Sequence, residues 1–309
     1  MSNVLAMFPG QGSQHVGMSK DLLEQFPAAK QVFEEASDSI NTNILKLCAE
    51  GPESDLTLTA NTQPCILTVS TATWRILKSE TDLNPVAFAG HSLGEYSALV
   101  ASEKLDFSRA CYLVRRRGES MQKAVPAGVG AMAAVLNVEA KTLNSLCEKI
   151  STKEHSVQIA NYNSTKQLVV AGHKPAVDLL CKKLEADKIR CVVLPVSAPF
   201  HSKLMSKAKK DMTPLLQETK IKSNNQTIIA NLTGNTVTTE YDFSYLAKQI
   251  DHPVLWTQTM DRAIELECDT YVEIGPGRVL FGLAKRAVPK DSALITTTDI
   301  KKAISSLNA

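Results

Sequence analysis

The sequence predicts an α/β protein: a parallel sheet carrying a nucleophile elbow, interrupted by a small inserted domain. Three observations carry this. Residues 90–94 read Gly-His-Ser-Leu-Gly, set between a short apolar run and a helix-like stretch. Strand-like and helix-like segments alternate through the first 125 residues. Beyond the breaker cluster Pro126-Ala127-Gly128-Val129-Gly130 the order becomes β-α-β-β-α-β.

Each element has a local reason. Val4-Leu5-Ala6-Met7-Phe8 is a compact apolar run stopped by Pro9-Gly10, a buried strand and then a loop. Residues 19–37 read as a helix. Thr62-Gln63-Pro64 reads as a helix start, proline being tolerated in the first turn, and Ile66, Leu67, Val69, Ala72, Trp74, Ile76 and Leu77 continue it. Pro85 to Ala89 is a second buried strand, followed by helices over 93–101 and 107–124. Parallel strands with helices between them imply an α/β core. Then come a strand at 131–136, a helix at 139–150, strands at 157–160 and 168–172, a helix at 175–187 and a strand at 191–194. That order is ferredoxin-like. A helix near 202–218 and strands at 227–231 and 270–274 return the chain to the core. The catalytic core is thus expected over 1–125 and 198–309, with the small domain over 126–197.

Composition narrows the function. The 309 residues suffice for a large domain with an insertion, and 44% are hydrophobic, so a sizeable core is available. Aromatics are only 5%, which argues against base-stacking platforms. A net charge of +2 is too small to mark a nucleic-acid binder. No apolar run approaches the ~18 residues of a membrane span. The start, Met1-Ser2-Asn3-Val4, shows no secretory signal. Seven scattered cysteines without a C-x-x-C pair predict neither a disulfide framework nor a zinc site, and favour the cytoplasm. No metal site is expected.

The chemistry centres on Ser92. A strand-to-helix turn this tight pushes its central side chain outward and requires glycine two residues either side. The helix behind it points free N–H groups at the serine, which suits a developing oxyanion. A serine hydroxyl needs a base. Of the six histidines, His91 precedes the serine and should point away from it, whereas His201 lies in the proline-stiffened loop Pro195 to Ser202 at a domain junction. As a lone loop histidine it could equally be structural. Phe8-Pro9-Gly10-Gln11-Gly12-Ser13-Gln14 could offer a backbone N–H to an oxyanion or be a plain βα turn. Arg115, Arg116 and Arg117 span about 200° of a helix, so at least one turns toward the core. A buried arginine needs a carboxylate, which a substrate could supply.

These motifs together resemble the malonyl-CoA:acyl-carrier-protein transacylases of type II fatty-acid synthesis. Further signatures are Gly130-Ala131-Met132-Ala133-Ala134, Phe200-His201-Ser202, Pro253-Val254-Leu255-Trp256 and Glu273-Ile274-Gly275-Pro276-Gly277. The match is co-linear over essentially the whole chain. It implies an α/β-hydrolase-like core and assigns roles. Ser92 carries the malonyl ester, and His201 is general base and then general acid. Arg117 holds the malonyl carboxylate. The N–H groups of Gln11 and Leu93 form the oxyanion hole, and the Gln249 main chain orients the histidine. Asn161 and Asn163 match a polar pair near the site, although as residues alone they could be turn asparagines. Phe200 resembles the malonyl-selective members and would crowd a 2-methyl branch. His91 is included among the substrate-binding positions.

The resemblance implies malonyl-CoA and an acidic acyl carrier protein as partners, with no cofactor, nucleic acid or membrane. Lys182, Lys183, Lys188, Arg190, Lys285 and Arg286 are candidates for a basic rim, or else ordinary solvated residues. An esterase or thioesterase shares the nucleophile and oxyanion hole and differs in admitting water. A catalytically silent carrier-binding subunit is the rival from another class.

Overall fold

Val4–Phe8 is buried along its whole length, as an apolar run must be when helices cover both faces of its sheet. It forms β1 in the computed structural model, which describes residues 2–196 and 198–309. Four short helices follow: α1 (Lys20–Gln25), α2 (Lys30–Ile40), α3 (Ile44–Glu50) and α4 (Glu53–Leu56). The single helix expected over 19–37 is instead broken at Pro27, where a 3-10 turn, Pro27–Ala29, separates α1 from α2. Helix α5 (Thr59–Glu80) begins before the expected Thr62 and carries Pro64 inside it. Proline has no N–H to give Ala60, and Arg115 Nη1 donates to that freed carbonyl at 3.4 Å.

The core continues through β2 (Ala87–Gly90), α6 (Gly94–Ala101) and α7 (Phe107–Lys123). The inserted segment follows as β3 (Gly130–Leu136), α8 (Ala140–Ile150), β4 (Val157–Ser164), β5 (Gln167–His173), α9 (Lys174–Ala186) and β6 (Cys191–Val193). The chain returns with α10 (Ser206–Gln217), β7 (Ile228–Ile229), β8 (Thr236–Val237), α11 (Phe243–Gln249) and α12 (Trp256–Glu265). It ends with β9 (Thr270–Glu273), α13 (Val279–Ala284), β10 (Ala293–Thr296) and α14 (Ile300–Leu307). Ser197, assigned from sequence to the end of the small domain, lies outside the described residues.

The main sheet runs β10-β9-β1-β2-β7-β8. All neighbours are parallel except β8, which turns back on β7. Alternation along β1 splits the core: Ala6 and Phe8 pack with Trp74 and Leu99 on one face, Leu5 and Met7 with Trp256 and Tyr271 on the other. The register pairs Phe8 with Gly90 and Met7 with Glu273. The loops that leave β1, β2 and β9 therefore emerge side by side at the carboxyl edge, where open parallel sheets bind ligands.

The second sheet is antiparallel in the order β4-β5-β3-β6. Val135, Ile159 and Val170 pack there against Leu143 of α8 and Leu180 and Leu184 of α9. The fold is an α/β-hydrolase-like core with a ferredoxin-like small domain. Strand β4 is joined by backbone to the core segment that leads into α12: Tyr162 N–H donates to the Val254 carbonyl, and Val254 N–H to that of Ala160, both at 2.9 Å. One expectation about the cysteines is corrected. Cys181 and Cys191 form a disulfide, because α9 returns its last turns to the edge strand β6 with Cα atoms 5.5 Å apart. The other five are free and buried. Among the described residues no helix is long and apolar enough to cross a membrane. Nor is there a His/Cys/Asp/Glu group that could hold a metal ion.

Candidate active site

Ser92 sits between β2 and α6 with φ at +53°, a left-handed conformation rare for a residue with a Cβ. Its flanking glycines are required by contact. A Cβ on Gly94 would run into the Phe8 carbonyl, and one on Gly90 into Gly94 itself. Asn231, just past β7, holds the turn from beneath. Its Oδ1 accepts from Ser92 N–H at 2.7 Å, and its Nδ2 donates to the Gly90 carbonyl at 2.6 Å.

His201 reaches the serine from the far side of the cleft. Ser92 Oγ and His201 Nε2 are 2.7 Å apart. The other ring nitrogen, Nδ1, lies 2.9 Å from the Gln249 carbonyl. A carbonyl only accepts, so Nδ1 carries the proton and Nε2 presents a lone pair to the serine. Burial, and then the nearby Arg117 cation, push the His201 pKa down to about 3, so the ring is neutral. The loop that carries it is tight, with φ at +57° for His201 itself.

The three arginines of α7 separate as their spacing requires. Arg115 Nε and Arg116 Nη1 share the Glu119 carboxylate at 2.9 and 2.7 Å. Arg117 turns inward and is only 1% exposed. No carboxylate pairs with it among the described residues. Its Nη1 donates to Gln63 Oε1 at 2.9 Å, and its Nη2 to Gln249 Oε1 at 2.8 Å and to Ser92 Oγ at 3.0 Å. The guanidinium lies over the Tyr96 ring at 5.7 Å, and its Nε has no partner. Burial lowers its pKa, an effect partly opposed by Tyr96 and Glu95. A buried cation held by neutral amides, with a donor to spare, is suited to an incoming anion.

A cleft of about 180 Å³ opens over these groups. Gln11 and Leu93 line it, and neither backbone N–H has an acceptor among the described residues. Gly10 is forced here, because a Cβ would strike the His91 carbonyl. The small domain contributes Met132, Asn161, Asn163 and Val196, while Phe200 and His91 complete the wall. Asn161 and Asn163 lie in strand β4 and not in a turn. His91 Nε2 contacts Asn163 Oδ1 at 2.8 Å, so the ring points away from the serine hydroxyl yet still faces the cleft. Burial lowers its pKa.

The structure thus brings the candidate catalytic and substrate-binding residues to one cleft, except Gln249, which is buried and bonded to the Arg117 and His201 side chains. The rim candidates Lys182, Lys183, Lys188, Arg190, Lys285 and Arg286 are all exposed. Sequence reasoning missed Asn231, Tyr241 and the roles of Gln63 and Glu95. A strand end on the site-bearing edge was a signal for Asn231. A carboxylate within the apolar start of α6 was one for Glu95, whose pKa burial lifts to about 7 against three hydrogen bonds.

A serine on an elbow, a neutral imidazole and two free N–H groups define an acyl-transfer site of the nucleophilic-serine class. The acyl transferase domain model matches residues 6–304. The chain belongs to the malonyl CoA-acyl carrier protein transacylases within that family. A relative of that name from Bacillus subtilis (strain 168) is 42% identical over 288 residues, covering 93% of this chain and 90% of its own length. The structure of the malonyl CoA-acyl carrier protein transacylase of Coxiella burnetii superposes with a TM-score of 0.94 at 34% identity, covering 100% and 99% of the two chains. A malonyl-transacylase in complex with its type II PKS acyl-carrier protein gives 0.93 at 35% identity, with 99% of each chain covered.

Proposed function

We propose that this chain transfers the malonyl group from malonyl-CoA to the phosphopantetheine thiol of an acyl carrier protein, through a malonyl ester on Ser92. The observation that carries the reading is the meeting of Ser92 Oγ with both His201 Nε2 and Arg117 Nη2, at 2.7 and 3.0 Å.

Ser92 Oγ attacks the thioester carbonyl while His201 Nε2 takes its proton. The Gln249 carbonyl holds the tautomer and steadies the imidazolium, though less than a carboxylate would. The oxyanion accepts from the Gln11 and Leu93 N–H groups, each able to supply ~3 kcal/mol when well aimed. Collapse breaks the C–S bond, and CoA leaves with the proton from His201. The carrier thiol then attacks the ester, His201 again acts as base, and the serine is restored. Arg117 pairs with the malonyl carboxylate in both halves. Asn161, Asn163, His91 and Phe200 shape the path of the acyl group and arm, Phe200 against a 2-methyl branch. No cofactor takes part.

In this reading residues 1–125 and 198–309 supply the nucleophile, base and cation, and 126–197 close the cleft. Lys182, Lys183, Lys188, Arg190, Lys285 and Arg286 receive the acidic carrier protein, and the reaction belongs in the cytoplasm. Intact-protein mass spectrometry with malonyl-CoA tests it. One malonyl group is expected on Ser92, discharged by added holo-carrier protein. Discharge by water at the same rate without carrier would make the protein a thioesterase, and no adduct would make it a binder.

A further inference from the structure

Beneath the elbow lies a polar chain that the proposed reaction does not use. Glu95, on α6, is buried, and its carboxylate accepts from Tyr241 Oη at 2.9 Å and from Asn231 N–H at 3.3 Å. It also accepts from Gln249 Nε2. The same Nε2 donates to the Ser92 carbonyl at 3.0 Å. The opposite end of the amide, Oε1, accepts from Arg117 Nη2.

We infer that Glu95 is a positioning residue that fixes the polarity of the Gln249 amide, and that this amide holds the Arg117 guanidinium in place for a carboxylated acyl group. The inference rests on the reading that Arg117 receives the malonyl carboxylate.

The argument is one of donors and acceptors. A carboxylate and a carbonyl can only accept, so the amide NH2 must face Glu95 and Ser92. A guanidinium can only donate, so the amide oxygen must face Arg117. Only one of the two amide orientations meets both demands. Glu95 and Arg117 form no direct ion pair. Had they done so, the cation would be neutralised and closed to substrate. The amide separates them and turns the carboxylate's charge into an aimed dipole, which leaves the cation uncancelled, with two of its five N–H donors unbonded, for an incoming anion.

Glu95→Gln tests this. Tyr241 and Asn231 both donate to one carboxylate oxygen, so the new side chain keeps its oxygen there and turns its NH2 toward Gln249. Two NH2 groups then oppose each other, and the Gln249 amide must flip and present its NH2 to Arg117. At pH 8 the malonyl-to-acetyl preference in kcat/KM for Ser92 acylation is expected to fall about 30-fold or more, chiefly through a higher KM for malonyl-CoA. An unchanged ratio, or equal losses for both acyl groups, would overturn the inference. Gln249→Met, which removes the amide and keeps the main-chain carbonyl, should lower the same ratio, and this arm decides the matter if Glu95→Gln does not fold. A wild-type protein that takes no malonyl group would sink the proposed reaction instead. The relay is then judged on a crystal structure of Glu95→Gln: displacement of Arg117 supports it, and Arg117 Nη2 still bonded to both Ser92 and Gln249 overturns it.

Discussion

Ser92 and His201 meet at 2.7 Å from two left-handed backbone positions, 109 residues apart in the chain. Neither conformation is one a side-chain-bearing residue adopts freely. The fold holds both, and the contact between the two side chains is what those turns achieve. Ser92→Ala should abolish the covalent malonyl adduct outright. His201→Ala should slow acylation by roughly 10³-fold or more, because it removes the base and leaves the N–H donors. Quenched-flow mass spectrometry reads both.

Arg117→Lys keeps a positive charge and loses the fork. The kcat/KM for malonyl-CoA should fall by about 100-fold, with a relative gain for acetyl-CoA. Unchanged malonyl kinetics would remove Arg117 from the carboxylate site.

The buried imidazole sets a pH dependence. His201 titrates near pH 3 folded and near ~6.5 unfolded. Between those values the unfolded chain binds a proton that the folded one refuses. The stability this group contributes is complete above ~6.5 and drains away as pH falls toward 3. Glu95 and Glu273, lifted to about 7 mainly by burial, act oppositely, and their contribution is lost as pH rises from ~4.5 through 7. In Glu95→Gln, which removes the carboxyl that titrates near 7, the Ser92 acylation that remains should therefore persist at pH 5. A falling limb centred on 6.5 in the single-turnover rates of that variant would contradict a neutral base.

Gly94→Ala drives a methyl group into the Phe8 carbonyl. We expect a loss of ~3 kcal/mol in urea unfolding, together with loss of the adduct, since the displaced strand end carries the Gln11 loop. A stable, active variant would show that the elbow tolerates a Cβ.

Charge reversal at Lys182 and Lys183 should raise the KM for carrier protein several-fold at low salt and leave acylation by malonyl-CoA unchanged. Steady-state assays at two ionic strengths check this. No salt dependence would detach these lysines from docking.

Much of this architecture was legible because its signals are local. Apolar runs ended by glycine or proline marked β1 and β2, and the helices read over 107–124, 139–150 and 175–187 correspond to α7, α8 and α9. The elbow is written in five consecutive residues. Pro27 was a visible breaker inside the helix read over 19–37, whereas the start of α5 lay upstream of Pro64 because a tertiary donor replaces the missing amide. Strands β8 and β10 were missed: one has two residues, and the other is a partly exposed edge without alternation. The site followed the same rule. Ser92 and the inward turn of one arginine follow from spacing, but which arginine, which histidine and which carbonyl came from family resemblance. Glu95, Tyr241 and Asn231 meet across more than 130 residues, and nothing local announces such bonds.

The backbone bonds that tie Tyr162 and Ala160 to Val254 fasten the strand that carries Asn161 and Asn163 to the core segment leading into α12. Jaws riveted in this way do not gape as rigid bodies without rupturing amide pairs. Entry of a long pantetheine arm then depends on side chains stepping aside, and the bore of the passage is set when the chain folds.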